Sequence, residues 1–538
     1  MRKATMAKKR KNKSNEIDKG KNDLISPDIY PVDTYIQYSF LLALFLIPLA
    51  VRLKLGIFIS PFISIGTIST GMQASFFSYY KWIILIILTI IITSLFVYKM
   101  LKHKYLIRAS YVNLPIVVLV IIILLSTLLA DYKMVALTGY YDQHNGVITF
   151  LCCFILMIIA ANTPFTEKFG RRLTLVLGAV TLLMASLSLV NYLGINLTQN
   201  NTVRILLAGR EHAEYAHGFL SSTLGNQNYS SGLAAALFCY FAAMLIWGRK
   251  LIHPVFTLLF AVAALSLLLT SLSSSGIVAA FIGVIGLVLI AGYDFGIKKL
   301  LLIISATMVA GVLLFLSFAY LNPQLSGEVH FWKQYISINQ PAGGESAEKS
   351  PVNLLQQTDW LAAGSGRGYI WANTIELIAD KPLLGHGANT LAYYFPHNNP
   401  EKNQNFMASR TIVDKPHNAC LGFAFDFGII ALLFLLYLFC SHLFHNGRQI
   451  ILFRSLHEPE RVYQIAMLGF LLAYWIQGLF NDFVIGSAPL HWILLGLAIS
   501  IYHSRTEKNL ISTDWPTKNK ISSIKFLQVG TKSTYTAS

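Results

Sequence analysis

The residues equipped for chemistry gather late in this chain. His417 stands third in KPHNACLGFAFDFGII, where a polar stretch of roughly a hundred residues, 321–417, meets an apolar segment; no other break in the hydrophobic pattern is long enough to fold into a site of its own. An imidazole with an unperturbed pKa of ~6.5 exchanges a proton near ambient pH. Asn418 follows it directly. Arg367 opens RGYIWANTIELIADKP, and a guanidinium pairs with anionic oxygens through two parallel hydrogen bonds while keeping its charge in a partly dry setting. Position alone leaves plainer readings open. His417 is also an ordinary polar residue at a helix start above a bilayer, and Arg367 could be solvated or reach toward lipid headgroups.

Other candidates are thinner. The segment 194–229 carries Arg204, Arg210, His212 and His217 and could wall the same site. His386 sits in LLGHG, where Gly385 and Gly387 permit a tight turn, so a structural role is favoured over a second base. Asp482 and His491 are ionisable residues in apolar surroundings and count as weak site candidates for that reason. Trp371 reads as an interfacial anchor. No closely spaced Asp-x-Asp pair and no Walker-type loop occur, which disfavours metal-dependent use of nucleotide sugars and direct use of ATP. No metal site and no cofactor are expected. The five cysteines, in or beside apolar runs and without a CxxC pair, read as buried thiols.

The elements that must position these groups are hydrophobic helices. The chain has 538 residues, 55% hydrophobic and 12% charged, with mean hydropathy +0.56, a composition of integral membrane proteins. Apolar runs able to cross a ~30 Å hydrocarbon layer recur near 35–52, 82–98, 112–130, 147–161, 172–193, 230–247, 252–272, 275–292, 299–320, 419–440, 463–483 and 487–503, about twelve spans. The expected fold is all-α and polytopic. Most of the 42 Lys and Arg residues fall in alternate connecting segments and in both tails, which places the tails in the cytoplasm and the long loop outside. The +17 net charge therefore reads as topology signal and lipid contact, not as a nucleic-acid footprint.

The expected organisation is a disordered basic tail at 1–34, read as leading into an uncleaved anchor, and about nine helices over 35–320. The extracytoplasmic loop 321–417, about three more helices over 418–503 and a cytoplasmic tail at 504–538 follow. Within the loop, Trp371, Ile375 and Ile378 share a face, with Ser365 as N-cap and Pro382 as stop, which predicts an amphipathic helix on the outer membrane surface.

Several of these segments resemble the O-antigen ligase and polymerase superfamily of polytopic membrane glycosyltransferases. The matching residues are Arg367 followed by Trp371, PLLGHG at 382–387, and His417-Asn418 with nine residues before Gly428. Ala431 stands where the family has Gly, Thr or Tyr, and Asp426 where many members have Glu. GNQNYSSGLAAAL from Gly225 and GYYDQHNGVIT from Gly139 are weaker matches. The family's second arginine is missing from SLSSSG at 271–276, so Arg204 or Arg210 would have to replace it.

The resemblance implies a GT-C-like fold in the bacterial cytoplasmic membrane, a polyprenyl-diphosphate-linked glycan donor, and a hydroxyl acceptor on glycan, lipid or protein. His417 would then deprotonate the acceptor, Asn418 would orient it, and Arg367 would hold the leaving diphosphate. A polysaccharide or lipid transporter is the alternative, weakened by unlike halves and by few ionisable residues within the spans.

Overall fold

The computed structural model describes residues 29–60, 70–216, 220, 222–296, 359–402, 412–452 and 458–512. Most of both predicted tails, the run 299–320 and the first part of the long loop lie outside the described residues.

The fold is mostly helical. In chain order the helices are α1 (Pro31–Leu49), α2 (Tyr79–His103), α3 (Asn113–Leu129), α4 (Lys133–Thr138), α5 (Val147–Ala161), α6 (Glu167–Tyr192), α7 (Asn201–Ala208) and α8 (Gln227–Trp247). There follow α9 (Pro254–Thr270), α10 (Ser274–Phe295), α11 (Asp359–Asp380), α12 (Leu391–Tyr394), α13 (Ala419–Leu452), α14 (Pro459–Gly478) and α15 (Ala488–Ser512). Among the described residues six, α1, α2, α6, α8, α10 and α13, are long and apolar enough to cross a membrane, and α3, α5 and α9 are shorter apolar helices. Every predicted span other than 299–320 coincides with a helix.

One element departs from the all-helical expectation. Lys54–Phe58 (β1) and Gly71–Ser75 (β2) pair antiparallel, with Lys54 opposite Ser75 and Phe58 opposite Gly71. Five-residue strands give too short an alternation to stand out beside long apolar runs.

Helix α8 lies at the centre, against α9, α10 and α14. Its SSGLAAAL stretch supplies the small residues that let helices approach within a membrane. A Cβ on Gly232 would come within 2.3 Å of Gln477, one on Gly276 within 1.8 Å of Ser231 Oγ, and one on Gly283 within 2.5 Å of Cys239. Cys152, Cys153 and Cys239 are buried as expected, but Cys440 is exposed on α13, where a helix turned toward lipid has no need to hide a thiol.

Two motifs read separately in the sequence meet. Helix α13 breaks at Gly428 (φ 87°, ψ 169°), and PLLGHG lies along the break. Ile429 N–H donates to the Pro382 carbonyl at 2.8 Å, His386 N–H to Phe425 and Gly387 N–H to Asp426, each at 2.9 Å. A Cβ at Gly428 would stand 2.2 Å from the Leu383 carbonyl oxygen, and one at Gly385 (φ 66°) 2.5 Å from that of Phe425. Only glycine fits at these crossings.

Helix α11 corrects two expectations. It starts at Asp359 and runs through Ser365, so Ser365 is not its N-cap, although Gly366 (φ 83°) breaks its backbone just before Arg367. Its buried face is Tyr369, Ile370, Thr374 and Ile378, packed on Leu391, Phe395, Val413 and Phe425, while Ile375 is 55% exposed. The helix seats on the loop and the start of α13 through that buried face, so Ile375 and Ile378 do not share one environment.

Candidate functional site

His417 occupies a strained turn at the head of α13. Its φ of 53° lies in the left-handed region, a conformation non-glycine residues hold only when their surroundings fix it. Those surroundings are named on both sides. The Trp371 indole N–H donates to the Pro416 carbonyl at 2.8 Å, so this tryptophan braces the turn where an interfacial anchor was expected. Asn418 Oδ1 accepts from the N–H groups of Cys420 (3.0 Å) and Leu421 (3.1 Å), which makes it the N-cap of α13.

His417 Nδ1 lies 3.0 Å from Asp482 Oδ2. An ionised carboxylate only accepts, so Nδ1 carries the proton and Nε2 is left as the basic nitrogen. The His417 side chain is 30% exposed and that of Asp482 9%. Burial alone would raise the Asp482 carboxyl, but the His417 hydrogen bond and the charges of His417, Lys415 and Arg367 outweigh it and hold the group below the usual carboxylate range. Neighbouring Asn481 anchors this turn through a 3.0 Å bond from Nδ2 to Ser275 Oγ, within the 271–276 segment.

Arg367 lies within electrostatic reach of the same carboxylate. Burial lowers its pKa while Asp482 and Tyr229 raise it, so the guanidinium and the imidazole both act on Asp482. Lys415 acts on it as well. It is buried, donates to the Tyr229 hydroxyl at 3.1 Å, and lies 5.0 Å over the Tyr229 ring. Burial pulls the Lys415 ammonium down, and Tyr229, Asp414 and Asp482 together bring it above its ordinary value. It remains a cation.

A polar bracket closes the other side. Gln143 Nε2 donates to Asp414, Asn389 Nδ2 donates to Gln143 Oε1 at 2.6 Å, and Asn389 N–H donates to Asp426 Oδ1 at 2.9 Å. Burial raises the Asp414 carboxyl against the opposing pull of Lys415 and His417. A cleft of about 50 Å³ opens here, with Asn145, Asn389, Asp414, Lys415 and Asp482 as polar walls and Phe150, Phe423 and Phe483 as apolar ones.

The remaining candidates fall elsewhere. His386 is buried, stacks on Phe425 at 4.7 Å and hydrogen-bonds the Leu377 carbonyl through Nε2 at 2.7 Å, with burial lowering its pKa. Arg204 donates to Asn201 on its own helix α7, and Arg210 is exposed beyond it. The cations acting most strongly on Asp482 are His417, Lys415 and Arg367 instead. His491 is packed among Tyr474, Trp475 and Phe483 within α15, and His217 lies outside the described residues. Sequence reasoning missed Lys415, Tyr229 and Gln143. Their signal was present, since Lys415 is two residues from His417 and the other two lie in the segments beginning at Gly225 and Gly139.

Apolar helices long enough to span a bilayer, carrying a charged cluster at one end, define a multi-pass membrane protein. Residues 258–436 match the family model described as O-Antigen ligase, a stretch that includes Arg367, His417, Asn418 and Gly428. Over that stretch the chain is similar to the O-antigen ligase family, in keeping with the resemblance carried by its motifs. No curated protein matches the chain.

Proposed function

We propose that this protein is a membrane glycosyltransferase that moves or polymerises glycan from a polyprenyl-diphosphate-linked donor onto a hydroxyl acceptor at the outer face of the bacterial cytoplasmic membrane. The observation that carries the reading is the His417–Asp482 pair at 3.0 Å, with the charge of Arg367 acting on the same carboxylate. His417 Nε2 takes the proton of the acceptor hydroxyl, and the acceptor oxygen forms the new bond at the anomeric carbon. The bond from that carbon to the diphosphate breaks, and the diphosphate leaves with the electron pair into the field of Arg367. Asp482 is a positioning residue that keeps the Nδ1 proton in place, and Asn418 fixes the head of α13 on which His417 stands. On this reading the tails and the end of the bundle carrying Asp33 and Arg461 face the cytoplasm, about twelve spans cross the bilayer, and the 321–417 segment is extracytoplasmic. No metal takes part in the step.

The family match supports the class of reaction, and the imidazole, carboxylate and guanidinium support the division of labour. The test is surface glycan in the host. His417→Ala should abolish polymer or ligated product with the protein still present in the membrane; unchanged product would refute the transferase reading and favour transport.

A further inference from the structure

A second cavity of about 40 Å³ lies behind Lys415, bounded by Lys81, Ser78, Tyr229, Gln143, Asn145 and the turn Val484–Gly486. Its lining is donor-rich. Lys81 is 1% exposed at the first turn of α2, and its ammonium donates to the Ala50 carbonyl, leaving two protons without a protein acceptor among the described residues. Lys415 projects from the opposite wall and has one bond, to Tyr229. Asp142 at the rim is the carboxylate on this lining, while Asp414 and Asp482 act on Lys415 from outside it and leave Lys81 without an ion-pair partner among the described residues. A Cβ on Gly486 would stand 2.4 Å from Leu224 Cδ2 and 3.2 Å from Lys81 Cε, so this turn packs closely on the lysine.

Two desolvated lysine side chains with the Tyr229 hydroxyl beside them offer hydrogen bonds to an anion, which would in turn favour their charged forms. Size narrows the choice. At ~12 Å³ per water the space holds about three waters, enough for a phosphoryl group and too little for a hexose ring. Tyr229 lines this cavity, is hydrogen-bonded to Lys415 and acts electrostatically on Arg367, which links the cavity to the guanidinium.

We propose that the cavity between Lys81 and Lys415 is a phosphoryl subsite, taking one phosphate of an isoprenoid diphosphate whose other phosphate meets Arg367. The proposal rests on the transferase reading of the adjoining site and assigns the leaving group two further cations. They come from α2 and from the residue pair before His417, not from the 271–276 segment, whose serines bond to one another and to Asn481.

The test uses the purified full chain in detergent, titrated calorimetrically with geranyl diphosphate and separately with inorganic pyrophosphate. Lys81→Met and Lys415→Met should each weaken both probes at least about tenfold, the loss of one charged hydrogen bond. Tighter binding of geranyl diphosphate than of pyrophosphate assigns the subsite to the lipid donor, and equal binding assigns it to the phosphoryl group alone. If Arg367→Met weakens binding and the lysine variants do not, the subsite is refuted while the transferase reading survives. If neither probe binds the wild-type chain, the subsite is refuted directly. Should Lys81→Met fail to yield folded protein, judged by its melting temperature, Lys415→Met in the loop carries the test under the same criterion.

Discussion

The two ends of the helix bundle both hold buried charges and use them in opposite ways. At the end formed by the start of α14, Arg461 meets Asp294 through two bonds of 2.9 Å and donates twice more to the Ile450 carbonyl, and Trp247 donates to the same carboxylate. Lys99 and Asp33, 2.8 Å apart and both 0% exposed, form a second closed pair there. At the other end Asp482 is shared among His417, Lys415 and Arg367, and His417 stays part-exposed beside a cleft. A guanidinium bound four times over by protein has little capacity left for a ligand. The mated end serves the fold, and on the proposed function the unevenly mated end keeps its basic nitrogen for a substrate.

Breaking the mated end should cost the most stability. Arg461→Ala leaves Asp294 buried without its partner, an expected loss of about 3–5 kcal/mol, read as a lower melting temperature and a lower yield of extracted protein. The double change Arg461→Met with Asp294→Leu should recover most of that loss. The contrast between the ends would fail if His417→Ala, which removes one half-exposed partner, cost as much; about 1 kcal/mol or less is expected.

Asp482→Asn sharpens the comparison from the other side. Folding should hold while transfer falls ~100-fold in kcat with KM little changed, because an amide no longer fixes the Nδ1 proton. Trp371→Phe should be milder. Loss of its bond to Pro416 removes about 1 kcal/mol and lets the His417 turn relax, so steady-state turnover should drop several-fold with the fold intact.

The smallest effect concerns pH. Burial brings His144 and His397, in the loops around the cleft, down to about 4. Each is neutral in the fold down to that value, whereas the unfolded chain takes up the proton from about 6.5. The unfolded chain therefore binds more protons between these values, and the stability from both groups is full above 6.5 and declines toward 4. Amide protection over residues 139–146 and 391–397, taken relative to the intrinsic exchange rate at each pH, should fall as pH falls through that window; protection constant from 7 to 4 would contradict it.

Much of the helical framework and the family motifs could be read from the chain because they are local patterns. Apolar runs of membrane length, a His-Asn pair before such a run, and glycines in PLLGHG and at 428 announce themselves by spacing. Asn418 shows how a local rule can be passed over: an Asn directly before an apolar helical run is an N-cap signature, and that is how it bonds. Lys415 could not be judged the same way. In a polar loop it resembles a solvated lysine, and its burial comes from Tyr229, 186 residues earlier. The partner of His417 is similarly remote, since Asp482 lies 65 residues on in a turn whose place depends on Asn481 and Ser275. Trp371 looked like a lipid anchor because its bond partner, the Pro416 carbonyl, has no side-chain signature at all.

Whether the imidazole at the head of α13 performs glycosyl transfer is decided by the transfer rate in proteoliposomes supplied with a polyprenyl-diphosphate-linked glycan and a hydroxyl acceptor, wild type against His417→Ala. A fall of ~100-fold or more with the protein still folded is expected. Transfer at the wild-type rate by the alanine variant would rule the imidazole out as the base.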